Sequence, residues 1–296
     1  MLVALLMAGA GSIQRIREAR YPEGAVAEET LYLTSGATLQ RLTAGYNALA
    51  ADLYWIRAIH HFGGVKLRLT GAVPGGVELV AAPTDYRLLY PLLDITTTLD
   101  PKFNIAYRFG AVFLAEAFPG GAGRPDLAIA LLEKGLRARP DKWEYMQDIG
   151  FVHYWWRHDY QAAAGWFERA ANVPGAPWFL KSLAATTLAE GGDRESSRTM
   201  WQAIRESAEI EWLRNDAERR LTQLRAMDEI DELQRRSDRV TAASGRPVSD
   251  WSEVVGGIPV DPTGVPYELE AGRVMLSRSS PLFPLPAEPQ RMLTSP

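Results

Sequence analysis

The sequence predicts a mostly α-helical fold, an α-solenoid of stacked helix pairs that carries a small C-terminal α+β module. Three observations predict it. A small residue and a large apolar residue recur at a fixed spacing along the middle of the chain, prolines follow the predicted helices, and a short segment of alternating apolar residues lies near the C-terminus. Because one helix pair cannot bury its apolar face alone, recurrence at a fixed period indicates stacking of neighbouring pairs.

The period is measured on the two helices of each predicted pair. On the second helices, the small residue is Ala128, Ala163 and Ser197, and the large apolar residue is Leu132, Phe167 and Trp201. On the first helices, Gly110, Gly150 and Ala184 fall where two helices should touch. Phe167 and Trp201 are 34 positions apart, as are Gly150 and Ala184. The longer interval after Gly110 is explained by a loop over Pro119–Arg124, and we expect Pro101 and Pro140 to end second helices.

The segments Asp85–Pro101, Pro125–Leu136 and Asp159–Ala170 resemble the second helix of a tetratricopeptide repeat. The resemblance covers residues 85–207, with repeats at about 102–141, 142–177 and 178–207. Residues 21–84 resemble a degenerate first repeat, in which a helix over Leu49–Phe62 precedes an insertion over Gly63–Thr84. The alternative is a plain helical bundle whose alanines match the repeat by chance.

The resemblance implies a concave groove lined by the first helices, and a protein or peptide partner bound there. The predicted groove residues are Asn104, Tyr107, Gln147, Phe151, Tyr154, Trp178 and Lys181. Aromatic residues dominate this set, which favours an apolar or mixed peptide segment as the partner. We expect the four aromatic side chains to be partly exposed on one face. The alternative is that they pack on a neighbouring element of the same chain.

The C-terminal part carries a second resemblance. After a charged run over residues 208–243, which predicts one or two helices, residues 244–280 contain Ser244–Pro247, the loop Ile258–Tyr267 and two short alternating segments. This module is similar to the globular end of the major pseudopilin of type II secretion. We do not expect that family's calcium site, because the only acidic residues between Tyr267 and Ser280 are Glu268 and Glu270. The proline-rich residues 281–296 predict an irregular tail.

The N-terminus and the composition limit the function. The formal net charge is −4, so no nucleic-acid partner is expected, and the absence of cysteine excludes thiolate metal sites and cysteine nucleophiles. Residues 1–20 begin with the apolar run Met1–Gly11, which is the end of a membrane anchor, an atypical signal sequence or the start of a buried helix. With the anchor interpretation, we expect an inner-membrane protein of the cell envelope with no orientation assigned.

These patterns favour a non-enzymatic scaffold or adaptor of the bacterial cell envelope, linked to a secretion or pilus-like machine. No phosphate-binding loop, nucleophile elbow or zinc-protease motif is present in the sequence, and no cofactor or metal is expected. The alternative is a hydrolase or an enzyme accessory that uses Asp52, His60 and His61, which lie on one predicted helix. Convergence of those three side chains in a pocket would favour the enzyme.

Overall fold

A computed structural model describes residues 12, 13, 15, 20, 31, 35–69 and 83–287. The chain divides into two compact units, Met1–Ala138 and Arg139–Pro296. Three predicted segments lie outside the described residues: the apolar run at the N-terminus, most of the predicted insertion and the last part of the tail.

Within the described residues the chain forms ten α-helices and one two-stranded antiparallel sheet, so the prediction of a mostly helical fold with a small sheet is confirmed. The helices of the first unit are α1 (Gly36–Leu42), α2 (Asn47–Leu69), α3 (Leu89–Leu99), α4 (Asn104–Ala115) and α5 (Pro125–Ala138). Those of the second unit are α6 (Trp143–Trp155), α7 (Tyr160–Ala171), α8 (Phe179–Glu190), α9 (Arg194–Ser207) and α10 (Glu211–Ser244), followed by β1 (Glu268–Glu270) and β2 (Arg273–Met275).

In the first unit, α3 is the central helix, and α1, α2, α4 and α5 all pack against it. Its side chains Leu93 and Ile95 are fully buried. The α5 residue Lys134 ties α5 to α3, because its ammonium group donates hydrogen bonds to the Asp94 carboxylate at 2.7 Å and to the Thr98 hydroxyl at 2.6 Å. Burial lowers the pKa of Lys134, and the bonds to Asp94 act in the opposite direction.

The helix α2 is longer than the sequence pattern indicated. The predicted insertion was expected to begin at Gly63, but α2 continues through Gly63 and Gly64 to Leu69. The residues Ala51, Ala58 and Val65 follow one another at intervals of seven and are all buried, so one face of α2 is held over its whole length. This contact outweighs the low helix propensity of the two glycines.

In the second unit, each helix from α6 to α9 packs against the next one, and α9 packs against α10. The predicted repeat positions on the second helices are buried, as are Gly150 and Ala184 on the first helices. The repeat period also appears in the helix caps. Asp159 caps α7 and Asp193, 34 residues later, caps α9, each accepting a hydrogen bond at 3.0 Å from a backbone N–H three residues further on.

Close contacts are found at both predicted glycine positions. A Cβ atom at Gly150 would lie 2.4 Å from the ring of Phe167 on α7. A Cβ atom at Gly110 would lie 2.8 Å from Leu93 and 3.1 Å from Leu131 on α5. The prediction that these glycines pack against the helices bearing Ala163 and Ala128 is therefore confirmed.

The charged run forms one continuous helix, α10, rather than two. It ends at Gly245, whose φ of 70° is the left-handed conformation that glycine adopts without strain. The second half of α10 shares an apolar core with the C-terminal segment, to which Leu233, Trp251, Tyr267, Val274 and Leu282 contribute. The module that follows is therefore packed on α10.

The predicted hairpin is confirmed, with a register that pairs Glu268 with Met275 and Glu270 with Arg273. Its two-residue turn, Ala271 and Gly272, has φ values of 50° and 82°, which suit the right-handed twist of a hairpin. The predicted turn at Asp261 is also present. The Asp261 carboxylate accepts hydrogen bonds from the N–H groups of Thr263 at 2.8 Å and Val265 at 3.0 Å, and from the Ser280 hydroxyl.

We predict opposite effects for two glycine substitutions in the second unit. Gly150→Ala should lower the free energy of unfolding by about 1–3 kcal/mol, because the new methyl group meets the ring of Phe167. Gly165→Ala on α7 should raise it by up to about 1 kcal/mol, because no neighbouring atom lies within 4 Å and alanine favours the helix. Thermal and urea unfolding measure both. Equal effects would contradict the close approach of α6 and α7.

We also predict a pH-dependent role for Asp261. Burial alone would raise the pKa of its carboxyl group, but the hydrogen bonds from Ser280, Thr263 and Val265 outweigh burial and lower it. A folded-state pKa below the unfolded value means stability that is present above the unfolded pKa, about 3.9, and is lost as the pH falls further. Asp261→Ala should destabilise the protein by about 2–3 kcal/mol at pH 7.

Urea unfolding of the wild type and of Asp261→Ala across the pH range measures this effect. The difference between the two should shrink as the pH falls below about 4. A difference that stays constant down to pH 2 would show that the carboxylate charge does not stabilise the loop.

Candidate partner-binding site

The seven predicted groove residues are divided between the two units. Asn104 and Tyr107 lie on α4 of the first unit. Tyr107 is fully buried, its hydroxyl donates a hydrogen bond at 3.4 Å to the backbone carbonyl of Thr97, and burial raises its pKa to about 12. The expectation that Tyr107 is exposed in a groove is therefore wrong, because its ring packs toward α3. The exposed face of α4 carries Ile105, Phe109 and Val112 instead. Asn104 is half-buried.

The α6 residues Gln147, Phe151 and Tyr154 are half-buried, so the two aromatic rings are partly exposed as predicted. The ring of Phe151 stacks on Trp155 with 4.6 Å between centroids and packs edge-on against Phe167. The Tyr154 hydroxyl donates a hydrogen bond at 2.5 Å to the carboxylate of Glu190. Burial, and then this bond, raises the Tyr154 pKa. Both residues thus contribute to the packing of the unit as well as to its surface.

The remaining two predicted residues, Trp178 and Lys181, line a cavity of about 370 Å³ in the second unit. We call it the Trp178 pocket. Its volume falls in the range of small-ligand sites, and it is large enough for one apolar side chain of a partner. The walls come from the end of α7, the first turn of α8, the end of α9 and the start of α10, and include Ala171, Pro177, Trp178, Lys181, Ser182, Ile204, Ala208, Glu209, Ile210 and Leu213.

Two tryptophans stand together beside this pocket. Trp178 and Trp212 pack edge to face with 4.8 Å between ring centroids. They are 52% and 50% exposed, and the neighbouring Ile210 is 48% exposed. Large apolar side chains that are held in place and half exposed are typical of protein-binding surfaces.

The Trp178 pocket also contains polar groups that have no partner among the described residues. The hydroxyl oxygen of Ser182 is buried and has no hydrogen-bond partner in the described part of the chain. Lys181 and Glu209 are exposed at the edge of the pocket, and neither forms a salt bridge with a described residue. A ligand that enters this pocket can therefore receive a hydrogen bond and can pair with one charge of each sign.

Among the site residues that sequence reasoning missed are Ile210, Trp212 and Leu213, because the start of α10 was interpreted as part of the charged run. The available signal was local. Ile210-Glu211-Trp212-Leu213 places three large apolar side chains at the first turn of a helix that is otherwise highly charged.

The second unit has another cavity, of about 580 Å³, beside the hairpin. Arg273, Arg278, Phe283 and Leu285 are among its lining residues. Part of its wall is formed by the tail, which continues into residues that lie outside the described range. We base the candidate site on the Trp178 pocket, because it contains two of the predicted residues and adjoins the paired tryptophans.

The described residues around the hydrolase alternative do not form a shared buried site for its three side chains. Asp52 and His60 are exposed on α2, whereas His61 is half-buried and is hydrogen-bonded to the backbone of Asp85. Burial, followed by the charges of Arg68 and Arg87, lowers the His61 pKa. Among the described residues, no three histidine, cysteine, aspartate or glutamate side chains are placed to hold a metal ion.

Comparison with models of protein families, with curated proteins and with solved structures found no match to this chain. The two resemblances therefore depend on the residues of this chain alone. The search for membrane spans among the described helices found none that is both long enough and apolar enough to cross a bilayer.

Proposed function

We propose that this chain is a non-enzymatic scaffold of the tetratricopeptide-like α-solenoid type, which holds a segment of a partner protein in the Trp178 pocket. The solenoid interpretation is supported within the second unit by the order in which the helices pack, by the glycine contact at Gly150 and by the repeated aspartate caps. An adaptor needs a stable surface rather than a reactive group, and this unit offers such a surface.

The observation that carries the proposal is the pair Trp178 and Trp212, half exposed at the edge of a cavity. Each tryptophan buries up to about 250 Å² when it is covered completely. Covering the exposed half of one ring therefore gives about 2–3 kcal/mol at 25 cal/mol per Å². Tryptophans in such positions often dominate the affinity of a protein interface.

The polar groups of the pocket define the chemistry of the bound segment. An apolar side chain fills the space between Ile204 and Leu213, and a carboxylate beside it pairs with Lys181 and accepts a hydrogen bond from Ser182. A basic or amide group on the other side of the segment faces Glu209. The proposed ligand is therefore a mixed peptide segment with an apolar anchor, which agrees with the partner that the sequence favoured.

The cellular context is a further part of the proposal. We place the protein in the bacterial cell envelope, attached to the inner membrane through its N-terminus, as an adaptor for a secretion or pilus-like machine. The support is the apolar run Met1–Gly11 and the likeness of residues 244–280 to a pseudopilin end, with its Asp261 turn and hairpin.

The Trp178 pocket is tested by photo-crosslinking in cells. A photoreactive phenylalanine at Trp212 should yield one dominant partner adduct, which mass spectrometry identifies. Trp178→Ala should then weaken binding of that purified partner by about 2 kcal/mol or more, with an unchanged melting temperature, because the ring is an anchor and not part of the core. Isothermal calorimetry measures the affinity.

The matched control is Trp155→Ala, because Trp155 is 55% exposed and lies on α6, outside the pocket. It should leave the affinity unchanged. Loss of binding in Trp155→Ala with full binding in Trp178→Ala would move the site to the Phe151 surface of α6. Loss of thermal stability in Trp178→Ala without loss of binding would remove the pocket from the proposed function.

Membrane attachment is tested separately. The native protein should sediment with membranes, and removal of residues 1–20 should release a folded, soluble body, because the apolar run lies at the N-terminus. Immunoblotting of the fractions measures the distribution. A native protein found wholly in the soluble fraction with Met1 retained would exclude the anchor.

A further inference from the structure

We propose that the first unit binds a second copy of the same chain through α2, and that the two α2 helices pack antiparallel. The proposed surface, the α2 seam, consists of Leu49, Leu53, Ile56, His60, Gly63 and Leu67. This inference concerns a different unit from the Trp178 pocket and does not depend on the proposed function.

The α2 seam is an apolar face on the side of α2 opposite the buried stripe. Ala51, Ala58 and Val65 hold the buried face against the rest of the unit. At 100° per residue, the seam positions lie on the opposite side of the helix. Leu49, Leu53, Ile56 and Leu67 are between 47% and 58% exposed. Four large apolar side chains on one exposed face exceed the scattered exposure that is normal for a protein surface.

The spacing of the seam indicates another helix as its partner. Successive seam residues alternate at intervals of four and three, which is the heptad spacing of a coiled coil. A lipid surface is typically met by a broader apolar face than this narrow stripe. The helix α2 has 23 residues and is about 35 Å long, so it offers three heptads for pairing.

Two glycines in α2 give an independent indication that another helix packs against it. Gly63 and Gly64 lie in the interior of a helix, where glycine is unfavourable, yet outside their own stretch of helix no atom of a described residue lies within 4 Å of the Cβ position at either one. Packing among the described residues therefore does not require glycine here. A close approach by a helix from outside does require it, and the open space at Gly63 lies within the α2 seam.

The second copy fits this seam because its pattern is self-complementary when the helices run antiparallel. The first half of the seam carries Leu49, Leu53 and Ile56, and the second half carries the polar His60, the small Gly63 and then Leu67. Antiparallel pairing sets Leu53 of each copy against Gly63 of the other, Ile56 against His60 and Leu49 against Leu67. Parallel pairing would instead set Gly63 against Gly63 and leave a void.

The charges beside the seam agree with the same register. Asp52, Ile59 and Lys66 lie along one flank of the seam, at intervals of seven. In the antiparallel register, Asp52 of each copy faces Lys66 of the other, and Ile59 meets Ile59 at the two-fold axis. In a parallel pair, Asp52 of one copy and Lys66 of the other would be about 21 Å apart along the axis, so this ion pair would not form. Arg57, on the other flank, lies over the ring of Tyr54 at 5.0 Å.

Cysteine crosslinking tests the register, because the chain contains no cysteine and one introduced thiol is unique. Ile59→Cys in the full chain should form a disulfide-linked dimer under mild oxidation. Ile105→Cys, a replacement of an exposed isoleucine on α4 of the same unit, should stay monomeric. Equal crosslinking of the two variants on a non-reducing gel would overturn the proposal.

Sedimentation of the full chain tests the association itself. The wild type should be dimeric at micromolar concentrations, and Ile56→Asp should be monomeric. Ile105→Asp, which replaces an isoleucine that is 48% exposed against 47% for Ile56, should remain dimeric. A monomeric wild type at every concentration up to about 100 µM, where even a weak dimer would assemble, would overturn the proposal and assign the seam to the chain's own N-terminal segment or to a lipid surface.

Two further variants separate association from folding. Asp52→Lys should weaken the dimer by about tenfold, and the double variant Asp52→Lys with Lys66→Asp should restore it, because residues 14 positions apart on one helix cannot meet within a single copy. Gly63→Ala should raise the melting temperature of the monomer and weaken the dimer. Failure of the double variant to restore association, or an unchanged dimer in Gly63→Ala, would contradict this register.

Discussion

The close approach of Gly150 to the ring of Phe167 determines how α6 and α7 pack, and the arrangement of the second unit depends on it. With no side chain at this position, Phe167 fills the space between α6, α7 and α8 and reaches Ala184 as well as Ala163. Phe151 also packs edge to face against the same ring. The first unit repeats this solution with Gly110 against Leu93 and Leu131. In both units, a missing methyl group on one helix makes room for a large side chain on the next.

The same packing explains why some large apolar side chains remain exposed to solvent. Each helix of a stack covers its neighbours along the chain and leaves the first turn of some helices uncovered. In the second unit, the start of α8 and the start of α10 lie side by side. Their two tryptophans pack against each other, and each remains half exposed. In the first unit, the described residues bury one face of α2. The two surfaces proposed for binding are thus parts of helices that their neighbours within the same unit leave exposed.

The sequence predicted features that depend on neighbours along the chain, and it failed where distant contacts decide. The helix ends before Pro101 and Pro140, the turn at Asp261 and the hairpin follow from local backbone chemistry. Tyr107 was assigned to a groove from its repeat position, but contact with α3 buries it. Gly63 was assigned to an insertion because glycine weakens helices, but the buried stripe of α2 outweighs that cost. Trp212 was overlooked because charge dominates the rest of α10.

The continuity of α10 has a consequence for how this chain can be divided. Its first turn forms part of the Trp178 pocket, and its later turns hold the hairpin, where Gln234 donates to the carbonyl of Gly272 and accepts from the N–H of Val274. Gln223, in the middle, donates to the carbonyls of Leu282 and Pro284. Residues 244–280 are therefore not an independent module, since Ala226 and Leu233 of α10 are part of their core and that helix begins 33 residues earlier. A related protein that contains this C-terminal segment should therefore contain α10 as well.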